Sequence, residues 1–129
     1  MIGPSRTSKS PTSMYLAHKG FKTSNVPFVA GIKLELNLNT IKISFVVGFH
    51  TSIERLIDVR KNRLLSLNSR FNTKYVCEEE VSNEIREAKK FYLSNNIPII
   101  DVTNKSIEET SAKILQLYHL WKKHKEREK

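Results

Sequence analysis

Gly3-Pro4-Ser5-Arg6-Thr7-Ser8-Lys9-Ser10 has the spacing of a phosphate-binding loop: Gly, four residues, Gly-Lys, then Ser or Thr. Every fixed position is met except the second glycine, where Ser8 stands. The chemistry explains the spacing. A loop that runs into a helix aims successive backbone N–H groups at a phosphate, and the helix N-terminus adds partial positive charge. Lys9 then supplies a point charge to the terminal phosphate, and the Ser10 hydroxyl is placed to ligate the Mg²⁺ that nucleotides carry. A solvated Ser/Thr/Lys-rich segment is the alternative reading of the octet taken alone.

The elements that must position this loop follow in order. Ser10 to about His18 reads as a short helix leaving the loop, with Pro11 tolerated in its first turn and Gly20 as an end signal. Residues 21–29 read as a short strand. Residues 34–39 are Asn-rich and give no clear assignment. Ile41 to Val47, ending at Gly48, reads as a buried strand. Ser52 caps a helix to about Ser69, with Ile53, Leu56, Ile57, Leu64 and Leu67 on one stripe. Arg60 falls inside that stripe and Arg63 at its border. A cation on an apolar face must be paired or face a polar cleft. Arg60 is therefore either a clamp for phosphate oxygens or half of a buried ion pair with a carboxylate such as Glu54 or Asp58.

Glu78 to Asn95 reads as the next helix, buried through Val81, Ile85, Ala88 and Tyr92. Ile97 to Asp101 is a short apolar strand ending in an acid, and Pro98 places it near a sheet edge. Ser106-Ile107-Glu108-Glu109 is a capping box that opens a last helix, whose buried face is Ile107, Ile114, Tyr118 and Trp121. Residues 122–129 form a charged tail expected to fray. Strands alternating with helices predict one three-layer, P-loop-like α/β domain over 1–129, with a short, mostly parallel sheet. Only Met1 and Ile2 precede Gly3, so the strand that normally carries such a loop is expected to be lacking or shortened. Ligands of such sheets bind beyond the strands' carboxyl ends. Asp101 is then a candidate for metal, water or an acceptor hydroxyl.

Charge is uneven. The net charge is +9, residues 1–31 carry four basic and no acidic side chains, and residues 76–129 carry ten of each. The excess lies with the loop and the arginine-rich helix, a field suited to nucleotide phosphate, phosphoprotein or nucleic acid. One cysteine, Cys77, suits a reducing compartment, and the cytoplasm is the default expectation. His18, His50, His119 and His124 show no metal-ligand spacing with Cys77, and His50 is read as a loop residue or a sheet-edge residue.

The segment Gly3 to Val29, then Gly48 with Thr51 to Ile57 and Arg60 to Leu64, then Pro98 to Thr103 and Ser106 to Thr110, resembles the pyruvate, phosphate dikinase and phosphoenolpyruvate synthetase regulatory proteins. The match covers nearly the whole chain but only the C-terminal half of that family. Pro4 departs from the family's β-branched residue. The resemblance implies a bifunctional serine/threonine kinase and phosphorylase. It would use ADP to phosphorylate a threonine of the dikinase or synthetase, and inorganic phosphate to remove that phosphate as pyrophosphate. Motif chemistry then assigns Gly3 to Ser10 to the diphosphate, Lys9 and Arg6 to charge neutralisation, and Ser10 with Asp101 to Mg²⁺. Arg55, Arg60 and Arg63 would face the transferred group or phosphothreonine. No membrane or nucleic-acid partner is expected, and a homodimer is one compatible assembly. A non-catalytic remnant of the family, another small P-loop kinase and a basic nucleic-acid-binding module are the rival readings.

Overall fold

The structure, a computed structural model, describes residues 1–29, 31, 44–66 and 77–127. Four short parallel strands form one sheet in the order β2-β1-β3-β4, where β1 is Ile2–Gly3, β2 Val26–Pro27, β3 Gly48–His50 and β4 Ile99–Asp101. Ile2 pairs with Val26 on one side and Gly48 on the other, and Gly48 pairs with Ile99. Among the described residues the helices are α1 (Lys9–His18), α2 (Ile53–Ser66), α3 (Glu78–Ser94) and α4 (Ile107–Arg127).

Apolar patterning decides the layers. On one face of the sheet, Leu16 of α1 and Ile114 of α4 bury against Val47, Phe49 and Ile100. On the other, Ala88 and Tyr92 of α3 bury against Ile2, Phe28 and Ile97. Leu56 of α2 packs on Val81 and Ile85 of α3, so α2 joins the second layer through α3. The three-layer α/β expectation holds. No helix among the described residues is long and apolar enough to cross a membrane.

The strand expected to be lacking or shortened ahead of the loop is present as two residues. It sits centrally, held by Ile2 N–H to the Val47 carbonyl (2.9 Å), Val26 N–H to the Met1 carbonyl (2.8 Å) and Phe28 N–H to the Gly3 carbonyl (2.9 Å). Two residues suffice because both neighbours pair with them. Tyr92 adds a further tie. Its hydroxyl donates across the strands to the carbonyls of Ile2 (3.1 Å) and Phe49 (3.0 Å), and burial pushes its phenol well above the ordinary range.

Element boundaries differ from expectation in places. Gly48 begins β3 and does not end a strand: a Cβ there would lie 2.5 Å from the Tyr92 ring, so glycine marks close packing at this position. Residues 41–43 of the expected strand, and 67–69 of the expected helix, lie outside the described residues, as do 34–39. α4 continues to Arg127, so the tail does not fray at Lys122. The Lys125 ammonium lies over the Trp121 ring at 4.8 Å, one turn away, and Lys, Glu and Arg are good helix formers.

Candidate functional site

The octet folds as a tight loop from the end of β1 into α1. Gly3 is required at its start, since a Cβ would sit 2.9 Å from the Thr7 hydroxyl and 3.1 Å from Phe49 Cβ. Arg6 has φ 69° and Ser8 φ 65°, while Thr7 between them and helical Lys9 do not share that sign. This alternation turns successive N–H groups toward one side, the geometry of an anion-binding nest. The first intrahelical bond is Thr12 N–H to the Ser8 carbonyl (3.2 Å), so the N–H groups of Ser8, Lys9 and Ser10 have no partner within α1. Ser8 makes no side-chain cap, and the first turn holds no carboxylate. A helix N-terminus so arranged favours an anion.

Ser8 carries the strain of the missing glycine. A left-handed residue with a Cβ costs about 1–2 kcal/mol, and no side-chain hydrogen bond compensates here. Ser8→Gly is therefore expected to raise stability by about 0.5 kcal/mol, after the glycine's extra unfolded-state entropy is subtracted. Denaturant melts of the two proteins measure it. A loss of stability would show that Ser8 is held by contacts other than its backbone conformation.

Lys9 is buried and folds back on its own loop. Its Nζ donates to the Pro4 carbonyl at 2.7 Å and lies 3.5 Å from the Thr7 hydroxyl, which itself donates to Pro4 at 2.8 Å. Burial, then the nearby Arg60 and Arg6 guanidiniums, lower its pKa to about 8 against an opposing pull from Glu84. An arriving phosphate would replace the Pro4 carbonyl as the acceptor. Pro4, a departure from the family's β-branched residue, serves here through its carbonyl. A cleft of about 420 Å³ opens at this point, lined by Ser5, Arg6, Ser8, Lys9 and Ser10 of the loop, with Asn25 and Val59 from neighbouring segments. Asn25 donates to the Ser10 hydroxyl at 3.3 Å, leaving that exposed oxygen with lone-pair capacity toward a cation.

Arg60 is engaged inside the protein. It is 1% exposed and makes a bidentate pair with Glu84 of α3, at 2.9 and 3.0 Å. Its Nε also donates to the Ser5 carbonyl in the loop, at 3.3 Å. The ion-pair alternative is the one found, but with Glu84 and not with Glu54 or Asp58, both of which are exposed on α2. A helical wheel shows only neighbours on the same helix; the partner lies 24 residues away on another. Arg55 and Arg63 are exposed on α2 and line no part of the loop cleft.

Asp101 ends β4 on the same sheet edge, in register with His50 at the end of β3. β3 stands between it and the loop strand, which puts Asp101 about two strand spacings away, ~10 Å. It does not line the loop cleft. One carboxylate oxygen accepts the Thr103 N–H at 2.9 Å. Partial burial opposes its ionisation, but the Thr103 hydroxyl and N–H, His50 and Lys105 together hold the carboxyl below its usual range. His50 is thus a strand residue, not a loop residue. By sequence Ser52 is only a cap, and Thr51 and Thr103 only parts of the resembling blocks: Ser52 N–H donates to the Thr103 hydroxyl (2.9 Å), which lies 3.3 Å from that of Thr51. These bonds tie the start of α2 to the end of β4, and the Ser52 hydroxyl caps α2 through Arg55 N–H (3.2 Å).

Comparison with known proteins places this geometry in a family. Residues 1–115 match the family described as Kinase/pyrophosphorylase. A protein of Wolbachia pipientis wMel named "Putative pyruvate, phosphate dikinase regulatory protein" is 49% identical over 119 residues, covering 92% of this chain and 43% of the relative. Relatives of the same name from Anaplasma phagocytophilum (46% identical, 92% of this chain, 42% of the relative) and Sphingopyxis alaskensis (48%, 91% and 43%) behave alike. The chain spans less than half the length of these curated relatives. With its match over residues 1–115 and its relatives of 46–49% identity, the chain belongs to the Kinase/pyrophosphorylase family.

Proposed function

We propose that this chain carries the nucleotide-handling centre of a regulator that phosphorylates a threonine of pyruvate, phosphate dikinase, or of phosphoenolpyruvate synthetase, and reverses that phosphorylation. In the forward direction the threonine oxygen attacks the β-phosphorus of ADP, its proton is released to solvent, the bond to the α,β-bridging oxygen breaks, and AMP leaves. In the reverse direction an oxygen of inorganic phosphate attacks the phosphothreonine phosphorus. The threonine oxygen leaves and takes a proton, and the product is pyrophosphate. Both are in-line displacements in which positioning and charge stabilisation provide most of the rate.

The observation that carries this reading is the N-terminus of α1: a nest with alternating φ signs, no capping side chain, no carboxylate in its first turn, and Lys9 beside it. The same diphosphate seat would serve ADP in one direction and nascent pyrophosphate in the other. Loop amides from Arg6 to Ser10 would hold the diphosphate, and Lys9 and exposed Arg6 would neutralise it. Ser10 would ligate Mg²⁺, whose charge draws electron density from the phosphate oxygens. Asp101, set back behind β3, is suited to the acceptor hydroxyl more than to sharing that metal with Ser10.

The test is incubation with Mg·ADP and each target, followed by detection of phosphothreonine. It is run on this chain and on the chain with the N-terminal part of the Wolbachia pipientis relative restored ahead of it. Phosphothreonine on a target, removed again by inorganic phosphate with release of pyrophosphate, is the expected result. Its absence from both proteins, while the intact relative is active, would overturn the proposal.

A further inference from the structure

The structure assigns Arg60 and Glu84 a joint role as a strut that sets the direction of the Arg6 amide in the phosphate loop. This rests on the reading of the loop as a diphosphate seat and adds a positioning pair to it. The observations are independent of any ligand. The Arg60 side chain is 1% exposed, its guanidinium is fixed by two bonds to Glu84, and its remaining edge holds the Ser5 carbonyl.

A trans peptide is planar, with its C=O and the next N–H pointing in opposite directions. Holding the Ser5 carbonyl toward the buried guanidinium therefore sends the Arg6 N–H the other way, away from Arg60. Lys9 acts alike one residue earlier by holding the Pro4 carbonyl. The two cations draw successive carbonyls inward, so the loop is turned with its N–H side outward before any phosphate arrives. Arg6 and Ser8 occupy left-handed backbone without being glycine, a conformation that persists only when its surroundings over-determine it. The strut supplies that constraint on one side of Arg6, and the Thr7 hydroxyl on Pro4 supplies another.

Geometry also explains why the pair spans two helices. α2 and α3 pack through Leu56, Val81 and Ile85, and the ion pair joins these same two helices. Glu84 fixes the guanidinium from α3, so the loop is referenced to the second helical layer as well as to α1. A lysine at position 60 could keep the charge, but not the fork on Glu84 together with a third bond to Ser5.

The test uses Arg60→Met with Glu84→Gln, which removes the strut without leaving a buried charge alone. Backbone ¹⁵N order parameters of the ligand-free protein are expected to fall at Arg6, Thr7 and Ser8, from about 0.85 to below about 0.6, with those of α3 and β3 unchanged. Affinity for Mg·ADP and for inorganic pyrophosphate should weaken about tenfold or more, and Arg60→Lys should recover little of it. Should the double variant not fold, Glu84→Gln alone keeps one acceptor for Arg60 and should show the same changes at smaller size. Unchanged order parameters at residues 6–8 in either variant would overturn the strut. A wild-type protein that binds neither probe would instead overturn the diphosphate seat, and the order parameters would still decide the strut.

Discussion

Lys9→Met is expected to weaken Mg·ADP binding about 100-fold, a loss of ~2.7 kcal/mol, without lowering the melting temperature. The two halves of this expectation come from one observation. The ammonium is buried in the loop, and it is held there by the Pro4 carbonyl at 2.7 Å. Removing it from phosphate forfeits a charge-assisted bond. Removing it from the folded protein relieves a desolvated cation that lies near Arg60 and Arg6, and the Thr7 hydroxyl still donates to Pro4. An ordinary structural lysine would show the reverse pattern, with stability lost and binding barely changed.

The same residue fixes a pH signature. Its pKa is about 8 in the folded chain and near 10.5 when unfolded. Between these values the unfolded state binds a proton that the native state does not, so this residue's contribution to stability rises with pH from about 8 to 10.5. Phosphate binding moves oppositely, because the anion selects the ammonium. Affinity should fall as pH rises above 8, with proton uptake on binding, and calorimetry in buffers of different ionisation heat measures it. Lys9→Met should abolish both dependences. Persistence of the uptake in that variant would assign it to another group.

Gly48→Ala is expected to destabilise the fold by about 3 kcal/mol, lowering the melting temperature by about 10 °C. Three ring atoms of Tyr92 would lie 2.5–2.6 Å from the new Cβ. The ring cannot retreat, because it is fully buried on α3 and its hydroxyl holds the Ile2 and Phe49 carbonyls. The strand cannot retreat either, since β3 pairs on both sides. Tyr92→Phe should cost less, about 1–2 kcal/mol, as it keeps the ring and loses the hydroxyl's bonds. Thermal melts rank the two. A neutral Gly48→Ala would mean that α3 sits less tightly on the sheet than these distances indicate.

Sequence patterning was most informative where one element's own periodicity or capping chemistry decides the outcome. Val81, Ile85, Ala88 and Tyr92 are all buried on α3, Ser52 caps α2, and Ser106 accepts the Glu109 N–H at the start of α4. Gly20 closes α1, with its N–H on the Ala17 carbonyl. What was hidden depends on contacts between elements. Gly48 read as a terminator because nothing in its vicinity announces a tyrosine ring 44 residues away. Arg60 was visible as a cation needing a partner, yet neither Glu84 nor the Ser5 carbonyl could be found from a wheel of its own helix. The course of residues 3–10 from strand to helix was legible through spacing alone. The left-handed Ser8 keeps the backbone form that the absent glycine would adopt most easily, so the pattern survived the substitution. Asp101 had the right strand end, and only the sheet order β2-β1-β3-β4 reveals that another strand separates it from the loop.

The most direct measurement is a ¹⁵N NMR titration of the wild-type chain with Mg·ADP. Saturable shifts should be largest at the amides of Arg6 to Ser10, and inorganic pyrophosphate should compete for them. Saturable binding that leaves those amides unmoved, or no binding at all, would contradict a diphosphate seat built from the main chain of this loop.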